Sequence, residues 1–375
     1  MRFDTLAVHS VGLDPATRAV APPIHLSTTF ARDEAYALGE WHYVREANPT
    51  QALFEAALAK VEGGSAALAF ASGMAAGVAV LQSLPPGSHV VLPEDVYYGY
   101  RIAAADFLAP WGFRFTFAAM EEPGALAAAI RSDTRLVWIE TPSNPMLKIV
   151  DLDRAVAAAR VVGASTLADD TFATPALQRP IERGVDIVLH ATTKYIGGHS
   201  DVHGGALVFA KDDAFHARVL HARKHLGAVG SPFHAWLALR GLRSLGCRME
   251  RHSRSAHALA AWLSGRPGVS AVHYPGLPGH PGHSVAKRQM SAFGGMVSFQ
   301  VEGGLERARD VATRTRLFVP ATSLGGVESL IEHRFTVEGP SSKTPPDLLR
   351  LSVGLEDPED LKEDLDRALA SIAST

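Results

Sequence analysis

Seven short runs that are apolar along their whole length constrain this chain most. They span residues 66–70, 89–92, 113–118, 135–140, 165–170, 186–190 and 205–210, and helical stretches alternate with them. A strand with one wet face alternates apolar and polar residues, whereas a strand buried on both faces stays apolar throughout. Runs of the second kind separated by helices predict a mainly parallel sheet covered on both sides, an α/β fold. The helical signal starts at Thr50, where Leu53, Phe54, Ala57, Leu58 and Val61 recur at helical spacing until Gly63-Gly64 ends the run.

The pattern changes at both ends of this block. Residues 1–50 are rich in Pro, Thr and aromatics without a sustained period, which predicts an extended arm lying against a neighbouring surface. Beyond Ser231-Pro232 a long helical segment is expected over 233–263, followed by strands at 269–274, 295–301, 317–321 and 348–353. A closing helix over 358–372 carries Leu361, Leu365 and Leu369 on one face. The expected division is an arm (1–50), a large ligand-binding domain (51–231) and a smaller C-terminal α/β domain (232–375).

Composition removes several classes of function. Thirty-six Lys and Arg against 39 Asp and Glu give a net charge of -3, too balanced for a protein built around nucleic acid or anionic lipid. The partner expected is a small molecule. The charge-free stretch 65–85 is mostly Ala and Gly and is interrupted by Ser72-Gly73, so it reads as buried soluble structure rather than a membrane span. No leader pattern is visible in residues 1–12, and Cys247 is the single cysteine, so no internal disulfide forms. The expected compartment is the cytoplasm.

Three segments can carry chemistry. Ser72-Gly73-Met74 follows an apolar run and opens a helix, where free backbone N–H groups make a phosphate site; an ordinary tight turn has the same appearance. Asp169 ends another run, where a strand-end carboxylate faces the crevice in which such sheets bind ligands, or caps the next helix. Lys194 follows a third run, so it is either a poorly solvated amine able to form a Schiff base or a surface lysine in a Gly-rich loop. Together, in this order, a phosphate cradle, a strand-end acid and a low-pKa lysine are the parts that hold pyridoxal phosphate.

The chain also resembles the Cys/Met-metabolism (trans-sulfuration) pyridoxal-phosphate enzymes, a group that includes the cystathionine γ-lyases, γ-synthases and β-lyases. The resemblance spans nearly the whole chain. It rests on Tyr43-Val44-Arg45, Asn48-Pro49-Thr50, Ser72-Gly73-Met74, Asp95 with Tyr97, Glu140 to Pro145, Asp169 to Phe172, Thr193 to Asp201, Ser323 to Ser329, and Arg350 to Gly354. It implies an aspartate-aminotransferase-like (fold type I) architecture and pyridoxal 5'-phosphate as cofactor. By the same resemblance, Lys194 would form the Schiff base and shuttle protons, with Asp169 holding the pyridine nitrogen protonated and Tyr97 stacking on the ring. Gly73, Met74 and Thr193 would hold the phosphate, and Tyr43 and Arg45 would reach the phosphate of a neighbouring subunit. Arg350 would clamp the substrate carboxylate, with Asn144 and Ser323 beside it. The reaction implied is carbon-sulfur elimination of the cystathionine γ-lyase kind through a Cα carbanion. The alternatives are γ-replacement on an O-acylhomoserine, β-elimination, or a non-catalytic relative. The usual assembly of the family is a homotetramer, a dimer of dimers.

The chain departs from the family pattern at several points. Asp170 stands where Asn is usual, Ala191 replaces a Ser that donates to phosphate, and Tyr98-Gly99 replaces Gly-Gly, which would put a ring near the cofactor edge. Thr322 stands where many γ-acting members carry Glu, and His333-Arg334 replaces a common His-Pro. His199 with His203, and His221 with His225, lie four apart but have no matching third ligand, so no metal site is expected.

Overall fold

The computed structural model describes residues 1–339 and 342–370. Seven strands form the larger sheet: β1 (Ala66–Phe70), β2 (His89–Pro93), β3 (Arg114–Ala118), β4 (Thr134–Glu140), β5 (Ser165–Asp169), β6 (Ile187–His190) and β7 (Gly205–Phe209). Their order is β1-β7-β6-β5-β4-β2-β3. Only β7 runs against its neighbours, β1 and β6. The mainly parallel arrangement thus appears with strand limits within a residue or so of those expected. Burial explains the apolar runs. On β4, Leu136 and Trp138 enter one core while Val137 and Ile139 enter the other, and all four are fully buried.

Five strands form the second sheet: β8 (Val269–His273), β9 (Met296–Val301), β10 (Val319–Pro320), β11 (Leu330–Glu332) and β12 (Leu348–Ser352), in the order β10-β11-β12-β9-β8. Leu259, Phe299, Phe318, Leu351 and Leu365 fill a third core beside it. The first core crosses residue 231, because Leu239, Leu242, Leu245 and Met249 pack with Ala57 and Leu58.

Several local expectations need correction. Residues 1–50 contain a six-residue helix, α1 (Phe3–Val8), too short to show a period. The long helix expected over 233–263 is two, Pro232–Leu242 and Leu245–Leu263. Arg248 explains the break, since it donates to the carbonyls of Gly241 at 2.7 Å and Tyr195 at 2.6 Å, and Ser244 Oγ receives its Nε. β11 was not expected, and the strand expected at 317–321 shrinks to β10. The closing helix runs over Pro358–Ala370, and Ile372 lies outside the described residues.

Two helices position the site. In α2 (Pro49–Glu62), Asn48 caps the amides of Thr50 and Gln51, and Gly63 ends the helix with φ 82°. In α3 (Gly73–Gln82), Ser72 Oγ accepts from Ala75 N at 3.0 Å. The end of β7 lies so close beneath this turn that a Cβ on Gly205 would collide with the Ser72 carbonyl. Among the described residues, no helix is long and apolar enough to cross a membrane.

Candidate active site

A cavity of about 240 Å³ opens where the parallel strands end, and it is lined by Gly73, Met74, Tyr97, Asn144, Asp169, Thr193, Lys194, Ser323 and Arg350. The sequence placed all nine in one site. Tyr43 and Arg45 are not among the lining residues. Tyr43 is exposed, and Arg45 donates to the Lys224 carbonyl at 2.9 Å and lies over the Tyr43 ring.

At one end, with Ser72 spent on Ala75, the N–H groups of Gly73 and Met74 find no acceptor among the described residues. Thr193 Oγ1 is tied to Gly204, accepting from its N at 3.0 Å and donating to its carbonyl at 3.2 Å. Ala191 packs against Gly73. Thr192 is buried and does not line the cavity, so it does not replace the missing hydroxyl.

At the floor, Asp169 Oδ1 accepts from Thr171 N at 3.1 Å and Thr171 Oγ1 at 2.5 Å, while Oδ2 makes no hydrogen bond among the described residues. Burial raises the Asp169 carboxyl, and the Thr171 bonds oppose this. Asp170 turns the other way, into a buried group with Glu62 and His190, so the two neighbouring acids face different surroundings. The ring of Tyr98 makes an edge contact with Tyr97 but does not line the cavity, which corrects the expectation that it crowds the cofactor edge.

Lys194 Nζ donates to Ser323 Oγ at 2.8 Å. Burial, then the charges of Arg350 and Arg334, lower its amine to about 8, against Glu332. Arg350 donates to Asn144 Oδ1 at 2.8 Å and to the Ser323 carbonyl at 2.9 Å, and is paired with Glu332. Ser323 holds φ 96°, a left-handed conformation costly for a residue with a Cβ, at the point where Lys194 and Arg350 meet. Sequence reasoning gave no role to Glu332 or to Arg334, although Arg334 also lines the cavity. Glu332 lies opposite Arg350 across the β11–β12 pair, a relation set by sheet register.

The described residues fit pyridoxal phosphate. Free amides at a helix start suit a phosphate, the unpartnered Asp169 Oδ2 suits a pyridinium N–H, and a buried amine lowered to about 8 suits an aldehyde. Residues 4–370 match the family described as Cys/Met metabolism PLP-dependent enzyme. The chain belongs to that family. It is 48% identical over 373 residues to the cystathionine gamma-synthase of Mycobacterium tuberculosis, covering 97% of this chain and 96% of that protein. It is 42% identical over 383 residues to the cystathionine gamma-lyase of Homo sapiens, covering 98% of this chain and 93% of the other. The crystal structure of the cystathionine gamma synthase of Xanthomonas oryzae pv. oryzae in complex with cystathionine superposes with a TM-score of 0.95 at 42% identity, covering 99% and 98% of the two chains. The fold is therefore that of these enzymes, and the chain is a pyridoxal-phosphate-dependent trans-sulfuration enzyme.

Proposed function

We propose that this enzyme carries out γ-replacement, exchanging the acyloxy group of an O-acylated homoserine for the sulfur of cysteine to make cystathionine. The observation that carries this reading is the charge of the cavity. Arg334 and Arg350 both line it, and among the described residues its only acidic lining residues, Glu140 and Asp169, sit at the ends of β4 and β5. An O-acylhomoserine brings an α-carboxylate and no distal ammonium, so it places no second cation beside Arg334 and Arg350 when it enters.

Pyridoxal phosphate supplies the electron sink that makes the Cα proton of the substrate acidic. Gly73 and Met74 bind its phosphate through their amides, with Thr193 beside them, and Asp169 Oδ2 keeps the ring nitrogen protonated. Tyr97 covers the ring face. Arg350, held by Asn144 and the Ser323 carbonyl, fixes the substrate α-carboxylate so that Cα–H points at Lys194 Nζ. Lys194 takes that proton and, once relieved of it, takes one from Cβ, so that the acyloxy group leaves as a carboxylate; the cysteine thiolate then adds at Cγ, its own proton going with the carboxylate, and protons return to Cβ and Cα. The lyase reading, cleavage of cystathionine to cysteine, ammonia and 2-oxobutyrate, uses the same residues, and the Ser323-Leu324-Gly325-Gly326 sequence, which resembles the γ-acting members more than the β-lyases, fits both readings.

The arm supports a shared assembly. It exposes Leu13, Val20, Leu26, Tyr36, Leu38 and Tyr43, apolar area that a second copy would cover. We assign Tyr43 and Arg45 to the phosphate of a neighbouring subunit within a homotetramer, and the enzyme to the cytoplasm. Residues 51–231 serve as the cofactor domain and 232–375 close over the substrate.

The test is product identification with added cofactor. Cystathionine formed from cysteine and an O-acylhomoserine supports the proposal. Release of 2-oxobutyrate and cysteine from cystathionine, with no synthesis, makes the enzyme a γ-lyase. Pyruvate and homocysteine as main products make it a β-lyase.

A further inference from the structure

The cavity holds a guanidinium that the reaction above does not use. Arg334 stands where a proline is common in the family, and its side chain is only 3% exposed. Its orientation is fixed from two sides. Nε and Nη2 donate to Glu338 Oε1 at 3.2 and 2.6 Å, and Nη1 donates to Glu332 Oε2 at 3.3 Å. Glu338 is steadied by Ser342 Oγ at 2.5 Å and Thr344 Oγ1 at 3.2 Å, and the guanidinium carbon lies 5.8 Å from the centre of the Tyr98 ring. Of its five N–H groups, three are used and two remain.

We propose that Arg334 is a specificity-determining residue that binds a second carboxylate, at the far end of the substrate side chain. Glu332 is shared between Arg334 and Arg350 and Glu338 is held by Arg334, so what Arg334 offers a ligand is the two N–H groups that neither acid takes. Asn144 and the Ser323 carbonyl already turn Arg350 toward the α-carboxylate. Arg334, which lines the same cavity, is left to the other end of the ligand. An arginine held by acids on its outer side presents its remaining N–H groups as a preset fork, which suits a carboxylate and gains nothing from an ester methyl. The substrate class selected is therefore an O-acylhomoserine whose acyl group ends in a carboxylate, such as O-succinylhomoserine, over O-acetylhomoserine. This deepens the γ-replacement reading and rests on it for the acyl group.

The test uses inert amino acids, so it does not depend on turnover. Calorimetric titration of the holoenzyme compares L-2-aminoadipate with norleucine, which lacks the distal carboxylate, and with homoglutamine, its neutral amide. The wild type binds aminoadipate at least tenfold more tightly than either. Arg334→Met brings the three within threefold of one another, and Arg334→Lys keeps part of the preference. Equal binding of aminoadipate and homoglutamine by the wild type overturns the proposal without any variant. A loss shared equally by all three ligands in Arg334→Met also overturns it, because Arg334 then acts only by supporting Arg350. If the ligand preference holds but no cystathionine is made from either acylhomoserine, the γ-replacement reading fails and the carboxylate site stands.

Discussion

Replacing Asp170 with asparagine should stabilise the protein, by an amount that grows with pH. Asp170 is fully buried. Its Oδ1 accepts from Gln178 Nε2 at 2.6 Å, and its Oδ2 has no partner among the described residues. Glu62 and His190 complete the group, joined at 2.9 Å, and Glu62 Oε1 and His190 Nδ1 also lack partners. Burial first, and the neighbouring Glu62 second, push the Asp170 carboxyl well above its ordinary value, while burial pushes His190 down to about 4. Asp170 therefore keeps its proton to higher pH in the fold than in the unfolded chain. The sign follows from this difference. A raised carboxyl leaves stability intact below the unfolded value and removes it as pH rises towards the folded value, because unfolding then releases a proton. Between the unfolded and the folded value the slope is about 1.4 kcal/mol per pH unit for one proton, so the cost of this carboxyl grows with every unit of pH inside that window. Asparagine fits the same space, keeps an oxygen to accept from Gln178 Nε2, and does not ionise. Urea denaturation at pH 5.5, 6.5 and 7.5, at fixed protein and cofactor concentration, should show Asp170→Asn gaining on the wild type by about 1.4 kcal/mol per pH unit. Parallel stability–pH curves for the two proteins would refute the protonated carboxyl.

Lys194, with its amine lowered to about 8, should capture pyridoxal phosphate at a rate that rises with pH and levels off above about pH 8, whereas an ordinary lysine would keep rising beyond pH 10; stopped-flow absorbance of the apoprotein reads this. Mixing inactive Arg45→Ala chains with inactive Lys194→Ala chains should restore activity through hybrid sites, and no recovery despite proven subunit exchange would remove Arg45 from its neighbour's site. Ser323→Ala, which takes from Lys194 Nζ its only hydrogen-bond partner among the described residues, should lower kcat/KM about tenfold, the equivalent of one hydrogen bond of about 1.4 kcal/mol. Ser323→Gly loses the same hydroxyl but relieves the positive φ, and should unfold about 1 kcal/mol later than Ser323→Ala in urea.

The larger sheet was legible because each of its inner strands is buried on both faces, which leaves a mark in consecutive residues. Gly73, Asp169 and Lys194 were legible for a related reason. Each lies at or just past the end of such a strand, and strand ends are where this architecture exposes its crevice. What escaped notice depends on pairing between distant parts of the chain. Glu332 meets Arg350 only through the antiparallel register of β11 and β12, and Arg334 acquires its acids from Glu332 and Glu338. The same holds for Glu62, Asp170 and His190, whose ligating atoms lie within 4.8 Å of one another although they come from α2, the end of β5 and β6. Spacing drew attention to His199 with His203 and His221 with His225 instead. Of these, His199 bonds the Gly197 carbonyl at 3.0 Å, and the rings of His221 and His225 lie 4.2 Å apart, neither arrangement being a three-ligand cluster.

Ser323 joins the two sheets at the place where the substrate must be recognised. Its hydroxyl receives Lys194 Nζ from the loop after β6, and its carbonyl receives Arg350 from β12. Two residues on, the Gly325 amide donates to Ser352 Oγ at 2.8 Å, which pins the loop to the end of the same strand. A non-glycine residue at φ 96° persists only when its surroundings over-determine it, and here both neighbours do so. An α-carboxylate arriving at Arg350 competes with the Ser323 carbonyl for the guanidinium, and any shift of that carbonyl turns the peptide that carries the hydroxyl under Lys194. Binding of the correct end of the substrate is thereby felt at the amine that must take its proton. An amino group without a carboxylate would fill the cavity and leave Lys194 held where it is.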